Sequence, residues 1–152
     1  MGSILLYGVT DMSEFKVALT CGVFDCLHDG HIKLIDTIKQ QVDYLVVIVH
    51  DDISSFQIKN RFPVQRLGDR LVNLWLSSRA DLVVPTFDRL PLNEIDSLVH
   101  MSESKIVYFR GDDCQDWPWK KDLEERKIDI VYLPYTKGIS TTELRNSYCI
   151  KE

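Results

Sequence analysis

Hydrophobic and polar positions change in a regular way along the chain from residue 16 onward. Short apolar runs, rich in β-branched residues, occupy residues 16–23, 44–49, 82–84, 105–109 and 128–133. Each run is too short for an ordinary helix and is bounded by polar or turn-forming residues, a pattern typical of buried strands. The pattern therefore predicts five strands.

The segments between these runs have a different period. Apolar residues recur every three or four positions over residues 31–42 and 63–78, which predicts two amphipathic helices, the second beginning at Pro63. Residues 53–61 are polar and mixed, and they predict a loop. A capping-box pattern of Ser, Thr, Thr and Glu over residues 140–143 predicts a last short helix.

Strands that alternate with helices predict the α/β class, with a central parallel sheet covered on both sides as a three-layer sandwich. In such sheets ligands bind at the carboxyl ends of the strands, near the point where the strand order reverses. We expect residues 16–152 to form a single domain. Residues 1–15 fit the pattern poorly, and for them we expect an N-terminal arm or an edge strand.

Composition narrows the class of protein. The chain has 152 residues, 45% of them hydrophobic and 27% charged, as expected of one globular domain with one core. A net charge of −5 disfavours a nucleic-acid partner, although a few local cations can still bind phosphate. No apolar run approaches the roughly 20 residues that span a bilayer, and the first residues do not resemble a signal peptide. We therefore expect a cytoplasmic protein without membrane insertion.

The four cysteines are Cys21, Cys26, Cys114 and Cys149. They contain no CxxC pair and no recognisable disulfide framework. Their spacing predicts reduced, mostly buried thiols, in keeping with a cytoplasmic protein.

The first strand leads into the segment GVFDCLHDGH, which runs from Gly22 to His31. Gly22 and Gly30 would let the backbone approach a ligand closely, and the free amides at the start of the following helix would hold an anion. His28 and His31 are three residues apart, so both rings would lie on one helix face and donate hydrogen bonds to developing negative charge. The alternatives are a metal-binding pair, for which no further ligands follow at a suitable spacing, and two unrelated surface histidines.

The HxGH pattern does not stand alone. Arg110, Gly111, Asp112 and Asp113 form a second motif, RGDD, and residues 138–145 form a third, GISTTELR. Together and in this order they resemble the nucleotidylyltransferase superfamily, in particular cytidylyltransferases of the glycerol-3-phosphate type. The resemblance covers nearly the whole chain after residue 15 and implies a Rossmann-like fold.

The resemblance also implies a reaction. An oxygen of an acceptor phosphate would attack the α-phosphorus of a nucleoside triphosphate in line, and pyrophosphate would leave without a covalent enzyme intermediate. Such chemistry depends on positioning and charge neutralisation, which suits a chain with no visible nucleophilic elbow. By the same resemblance we expect Mg²⁺ bound mainly through the nucleotide, and a homodimer.

The expected substrates are CTP and a phosphorylated small molecule such as a polyol or amine phosphate similar to glycerol 3-phosphate. The alternatives are an adenylyltransferase acting on a sugar phosphate, and a nucleotide-binding module without catalysis. An electron carrier with a flavodoxin-like fold would share the architecture but would not explain HxGH.

The resemblance implies a set of site residues. The expected catalytic residues are His28, His31, Lys59 and Arg61. The expected nucleotide-binding residues are Gly22, Val23, Phe24, Asp25, His28, Gly30, His31, Arg61, Gly111, Asp112, Asp113, Tyr135, Gly138, Ile139, Ser140, Thr141 and Thr142. The acceptor is expected at Lys59 and Arg89, and no metal-ligating residues are expected.

Other arginines have less specific expectations. Arg61 stands where the family has lysine, and its guanidinium can still bind phosphate through two hydrogen bonds. Arg70 and Arg110 are expected to be either structural or phosphate-facing, whereas Arg66 and Arg79 are expected to face solvent.

The chain departs from the family pattern at several positions. Tyr135 replaces an arginine and Lys137 replaces a glutamate next to GISTT. The segment after Val84 lacks the lysine that in the family helps hold the acceptor, although Arg89 is nearby, and Cys114 stands where similar cytidylyltransferases carry tryptophan. These departures leave the identity of both substrates open.

Overall fold

The computed structural model of the protein describes residues 15–113 and 116–134. Within these ranges five parallel strands form one sheet in the order β3-β2-β1-β4-β5, with helices between them. The elements in chain order are β1 Lys16–Gly22, α1 Asp29–Lys39, β2 Tyr44–His50, α2 Asp52–Lys59, α3 Leu67–Leu76, β3 Leu82–Thr86, α4 Leu92–Met101, β4 Lys105–Gly111, α5 Lys120–Glu125 and β5 Asp129–Leu133. The predicted parallel sheet and α/β class are confirmed, and strand ends differ from the predictions by at most two residues.

Each face of the sheet has its own hydrophobic core. The face that we call the α1 face is covered by α1 and α3, which pack Ile35, Ile38 and Leu74 onto it. The opposite face, called the α4 face, is covered by α4 and α5 through Ile95 and Leu123. Because successive strand residues point to opposite faces, each central strand supplies both cores, and the layers number three.

The strand order reverses between β1 and β4. From β1 to β3, successive strands lie side by side toward one edge of the sheet, whereas β4 lies on the other side of β1. Leu19 of β1 pairs with Tyr108 of β4, so both strands end at the same edge of the sheet. The crevice beyond their carboxyl ends is the place where such folds bind ligands.

The loop predicted over residues 53–61 is wrong, because helix α2 occupies most of it. The Asp51 carboxylate caps the helix by accepting a hydrogen bond from the Ser54 amide at 2.9 Å, and Asn60 ends it in the left-handed conformation. Its buried face consists of Ser54 and Ser55 rather than apolar residues. Hydrophobic periodicity therefore gives no signal for this helix.

The other two helix predictions have the right type but the wrong bounds. Helix α1 begins two residues before residue 31 and ends at Lys39 rather than at residue 42. Helix α3 begins after Arg66 instead of at Pro63, because the amides of Val64 and Gln65 donate to a side chain of another segment and are not in a helical turn.

Several predictions lie outside the described residues. These are the arm or edge strand, apart from Phe15, the capping box over residues 140–143, and the thiols of Cys114 and Cys149. The described cysteines, Cys21 and Cys26, are reduced thiols, as predicted. None of the described helices is long and apolar enough to cross a bilayer.

Candidate active site

The turn between β1 and α1 has an unusual backbone. Phe24 and Cys26 both have positive φ, at 52° and 50°, a region that L-residues seldom adopt. The buried Asp25 carboxylate stabilises this turn by accepting from the amides of Val64 at 2.7 Å and Gln65 at 2.9 Å. Asp25 thus connects the turn to the segment before α3.

Gly22 is favoured by the close packing of this turn. A Cβ atom at this position would lie 3.1 Å from Cε2 of the buried Phe24 ring, closer than ordinary contact allows. The sequence suggested that this glycine lets the backbone approach a ligand. The structure gives it a second and purely internal reason.

Two histidines cap helix α1. His28 is the N-cap residue, and its Nδ1 accepts from the amides of Gly30 at 3.1 Å and His31 at 3.4 Å. In return, Nδ1 of His31 accepts from the His28 amide at 3.3 Å. The expectation that these helix amides are free for an anion is therefore wrong, since the His28 ring already uses both.

These hydrogen bonds determine where the imidazole protons lie. A backbone amide can only donate, so each Nδ1 is unprotonated and each neutral ring carries its proton on Nε2. Burial lowers the pKa of His31 to about 3, with smaller contributions from His28 and Lys59. Burial also lowers the pKa of His28, while Asp29 opposes the shift. At neutral pH the pair presents two uncharged Nε2–H donors.

The spacing of HxGH correctly predicts that the two rings share a helix face. The rings stack with centroids 3.7 Å apart and planes 19° from parallel. The Phe24 ring lies 5.3 Å from the His31 ring at a tilt of 57°. The stack and the capping hydrogen bonds together hold both imidazoles in one orientation.

A cleft of about 300 Å³ lies beyond the carboxyl ends of β1, β2 and β4. Several residues predicted from the sequence line it: Gly22, Val23, Phe24, His31, Lys59, Gly111 and Asp113. Sequence analysis assigned no role in the site to other lining residues, which include Thr20, Cys21, Leu34, His50, Ile58, Trp117, Pro118 and Trp119. Arg110 also lines the cleft. Of the two roles expected for it, structural or phosphate-facing, the structure therefore favours the second.

Lys59 is the last residue of α2, and its side chain borders the cleft. Burial of the ammonium lowers its pKa, and the cations Arg61 and Arg110 lower it further, whereas Asp113 opposes the shift. Arg61 lines a small adjoining pocket that shares Val23 and Lys59 with the cleft. Lys59, Arg61 and Arg110 thus bring three positive charges to the cleft and its adjoining pocket.

Arg70 is structural rather than phosphate-facing. Its side chain is fully buried, and Nη1 donates to the carbonyls of Val23 and His50, each at 2.7 Å. Nε donates to the Gln65 carbonyl, and Nη2 forms an ion pair with Asp52 at 2.7 Å. The guanidinium thereby joins the carboxyl ends of β1 and β2.

A cysteine and a histidine meet inside the cleft. Cys21 Sγ lies 3.2 Å from His50 Nε2, and His50 Nδ1 lies 3.2 Å from Ser54 Oγ. Burial raises the pKa of the Cys21 thiol and lowers that of His50 to about 4, so both groups are neutral near pH 7. Sequence reasoning missed this pair because its members lie on different strands, 29 residues apart.

Some predicted residues are not brought to the cleft. Arg89 is exposed in the loop after β3 and does not line the cleft, and its role toward the acceptor stays a prediction. Asp112 is exposed, and its amide donates to the Leu133 carbonyl. Arg66 and Arg79 face solvent, as predicted. The residues expected to complete the nucleotide site, Tyr135, Gly138, Ile139, Ser140, Thr141 and Thr142, lie outside the described residues.

Known proteins resemble the chain in both sequence and structure. Residues 19–147 match the family described as cytidylyltransferase-like. Glycerol-3-phosphate cytidylyltransferase from Bacillus subtilis (strain 168) is 35% identical over 132 residues, covering 86% of this chain and 95% of that protein. Bifunctional protein HldE from Sodalis glossinidius is 30% identical over 135 residues, which cover 87% of this chain but only 27% of that protein.

A structural neighbour agrees with the sequence relatives on the fold. The lipopolysaccharide core biosynthesis protein from Thermoplasma volcanium GSS1 superposes with a TM-score of 0.61 at 21% identity, covering 82% of this chain and 98% of that chain. At this identity the likeness speaks to the fold alone, which is Rossmann-like as predicted. The chain belongs to the cytidylyltransferase-like family, and it is a nucleotidyltransferase.

Proposed function

We propose that the protein transfers CMP from CTP to the phosphate of a small acceptor similar to glycerol 3-phosphate, with release of pyrophosphate. The observation that carries the proposal is the pair of stacked, neutral histidines beside a cleft that also holds Lys59 and Arg110. Similarity to glycerol-3-phosphate cytidylyltransferase over nearly that protein's whole length supports the choice of substrates.

The reaction needs one bond to form and one to break. An oxygen of the acceptor phosphate bonds to the α-phosphorus of CTP, and the bond from that phosphorus to the oxygen bridging to the β-phosphorus breaks. Its electron pair leaves with pyrophosphate. A phosphate monoester has a second pKa near 6, so it is already ionised at pH 7 and needs no general base.

The histidines therefore act as donors and not as bases. With a pKa of about 3, His31 stays uncharged at neutral pH and keeps its Nε2 proton. Nε2–H groups of His28 and His31 would donate to triphosphate oxygens whose charge rises as pyrophosphate departs. Donors that are fixed before the reaction stabilise such charge without reorganisation.

Cations at the cleft and in the adjoining pocket reduce repulsion between the two anionic substrates. Lys59 is placed to contact them from the end of α2, and Arg61 from the adjoining pocket. Mg²⁺ would arrive on the triphosphate and neutralise part of its charge. Within the described residues there is no cluster of three or more His, Cys, Asp or Glu side chains that would hold a metal ion by itself. Asp113 is the carboxylate that lines the cleft, and it would provide one oxygen ligand to an ion carried by the nucleotide.

Pyrophosphate release tests the proposal. Each of the four nucleoside triphosphates is combined with phosphorylated polyols, sugars and amines, and with the same compounds lacking phosphate. We expect release with CTP and a phosphorylated acceptor only. Preference for ATP with a sugar phosphate would instead support the adenylyl alternative, and no release with any pair would contradict catalysis. The homodimer and the cytoplasmic location stay predictions.

A further inference from the structure

The cleft has a second half, on the α4 face of the sheet, to which the sequence assigned no function. Cys21, His50 and Arg110 come from β1, β2 and β4. In each strand, the residue two positions earlier belongs to the hydrophobic core of the α4 face. They therefore point to the face opposite α1. Ligands in the cleft can thus meet His31 of the histidine cap on one side and Arg110 on the other.

A stack of rings fixes the position of Arg110. The guanidinium carbon of Arg110 lies 4.6 Å from the centre of the Trp117 ring, and Trp117 stacks on Tyr108 with centroids 5.3 Å apart. Trp119 contacts Trp117 edge-on and donates from Nε1 to the Tyr108 hydroxyl at 3.2 Å. All three rings are at most 7% exposed. A guanidinium on such a support is held in one plane before any ligand binds.

The charge of Arg110 is not balanced by the part of the protein that the structure describes. Among residues 15–113 and 116–134 its guanidinium has no hydrogen-bond acceptor and no ion-pair partner, and its Nε is buried. Asp113 and Glu94 are the nearby carboxylates, and neither pairs with it. Lys59 adds a second positive charge to the same cleft. Two cations without a carboxylate partner in a half-buried cleft are stabilised when an anion binds.

We propose that Arg110, aligned by Trp117, binds the phosphate group of the acceptor and thereby determines that the acceptor is a phosphate monoester. This rests on the proposed function. The triphosphate is assigned to the histidine cap, so the two substrates are held from opposite faces of the sheet. Cys21 and His50 line the same cleft as Arg110 and are neutral, so they add no charge beside it.

Steady-state kinetics give the first test. Arg110→Met should raise the KM for the acceptor about tenfold or more, the usual loss for a hydrogen bond to a charged group, while the KM for CTP changes less than about threefold. Arg110→Lys should give an intermediate KM. Arg79→Met, which removes an exposed arginine paired with Asp36, is the matched control and should leave both values unchanged.

Two kinetic results would overturn the proposal. A rise in the KM for CTP equal to or larger than that for the acceptor would place Arg110 in the triphosphate site. Unchanged values for both substrates would show that Arg110 contacts neither. Thermal unfolding checks that each variant is folded, and Arg110→Lys replaces Arg110→Met if the latter does not fold.

A binding measurement separates this proposal from the proposed function. The chain has three tryptophans, and Trp75 is 73% exposed on α3, far from this stack in the fold. On titration with glycerol 3-phosphate, and separately with inorganic phosphate, the indole N–H signal of Trp117 should shift while that of Trp75 does not. The shift should disappear in Arg110→Met. A shift without any pyrophosphate release would leave the phosphate site standing and contradict the function, whereas no shift at Trp117 would overturn the site even in an active enzyme.

Discussion

The two halves of the cleft are built in different ways. The histidine half comes from one continuous segment, residues 22–31, and backbone amides hold both rings through Nδ1. The Arg110 half is assembled from β1, β2, β4 and the segment before α5, and ring stacking holds its central cation. The two histidines of the first half are uncharged, whereas the central side chain of the second half is a cation. In our proposal the local motif supplies the transfer chemistry and the assembled half selects the acceptor.

The division predicts different kinetic consequences. Changes in the histidine half should act mainly on kcat, because the Nε2–H donors stabilise charge that develops during the reaction. Changes in the Arg110 half should act mainly on acceptor KM, because the bound phosphate has its charge before the reaction begins.

The largest expected effect comes from the residue that joins β1 and β2. Arg70→Met should lower the free energy of unfolding by about 3 to 5 kcal/mol, because it removes the buried guanidinium donor from the carbonyls of Val23 and His50 and leaves Asp52 without its ion pair. Urea unfolding measures the change, with Arg79→Met as an exposed control expected within about 0.5 kcal/mol of wild type. A loss below about 1 kcal/mol for Arg70→Met would show that the two strand ends are held by other contacts.

The next effect concerns the histidine donors. His31→Ala should lower kcat by on the order of a hundredfold or more, the range for removing one donor to a transition-state charge. His28→Asn should lower kcat similarly while its amide oxygen still accepts from the helix amides. His28→Ala should lower kcat in the same way, and it should also lower the free energy of unfolding by about 1 kcal/mol because the helix loses its N-cap acceptor.

Kinetics and unfolding of these three variants separate catalysis from capping. If His28→Asn and His31→Ala both turned over at close to the wild-type rate, HxGH would be a structural cap and nothing more.

A smaller effect is expected on stability in mild acid. His31 and His50 have folded-state pKa values of about 3 and about 4, below the unfolded value of 6.5. Below pH 6.5 the unfolded chain binds protons that the folded chain does not, so stability falls as the pH decreases toward those folded values. Each buried histidine should make the free energy of unfolding up to about 2 kcal/mol lower at pH 5 than at pH 8.

Urea unfolding of wild type and of His50→Asn at pH 8 and pH 5 measures this dependence. The free energy of unfolding should differ less between pH 8 and pH 5 in His50→Asn than in wild type, because the contribution of His50 is gone. A variant with the same pH dependence as wild type would mean that His50 is protonated in the folded protein.

Sequence reasoning succeeded where a feature depends on neighbouring residues. Short apolar runs rich in β-branched residues identified the five strands that the described residues form, because both faces of the sheet are covered and its strands are apolar. The spacing of His28 and His31 placed both rings on one helix face, since three residues make nearly one turn.

Sequence reasoning failed where a feature depends on the folded surroundings. Helix α2 was missed because its buried residues, Ser54 and Ser55, pack by hydrogen bonds around His50 rather than by apolar contact. The amides at the start of α1 were expected to be free because a histidine ring is an uncommon cap. The contact between Arg110 and Trp117 exists only once the chain after β4 has folded back over the sheet.

The most direct test of the central claim is the protonation state of the two cap histidines, followed by ¹⁵N NMR of the imidazole nitrogens. At pH 7 both rings should be neutral with the proton on Nε2, and His31 should remain so down to about pH 4. Adding CTP should shift the Nε2 signals of both rings and leave that of the exposed His100 unchanged. A proton on Nδ1, or titration of His31 near pH 6.5, would contradict the account of two neutral, pre-aligned donors at the start of α1.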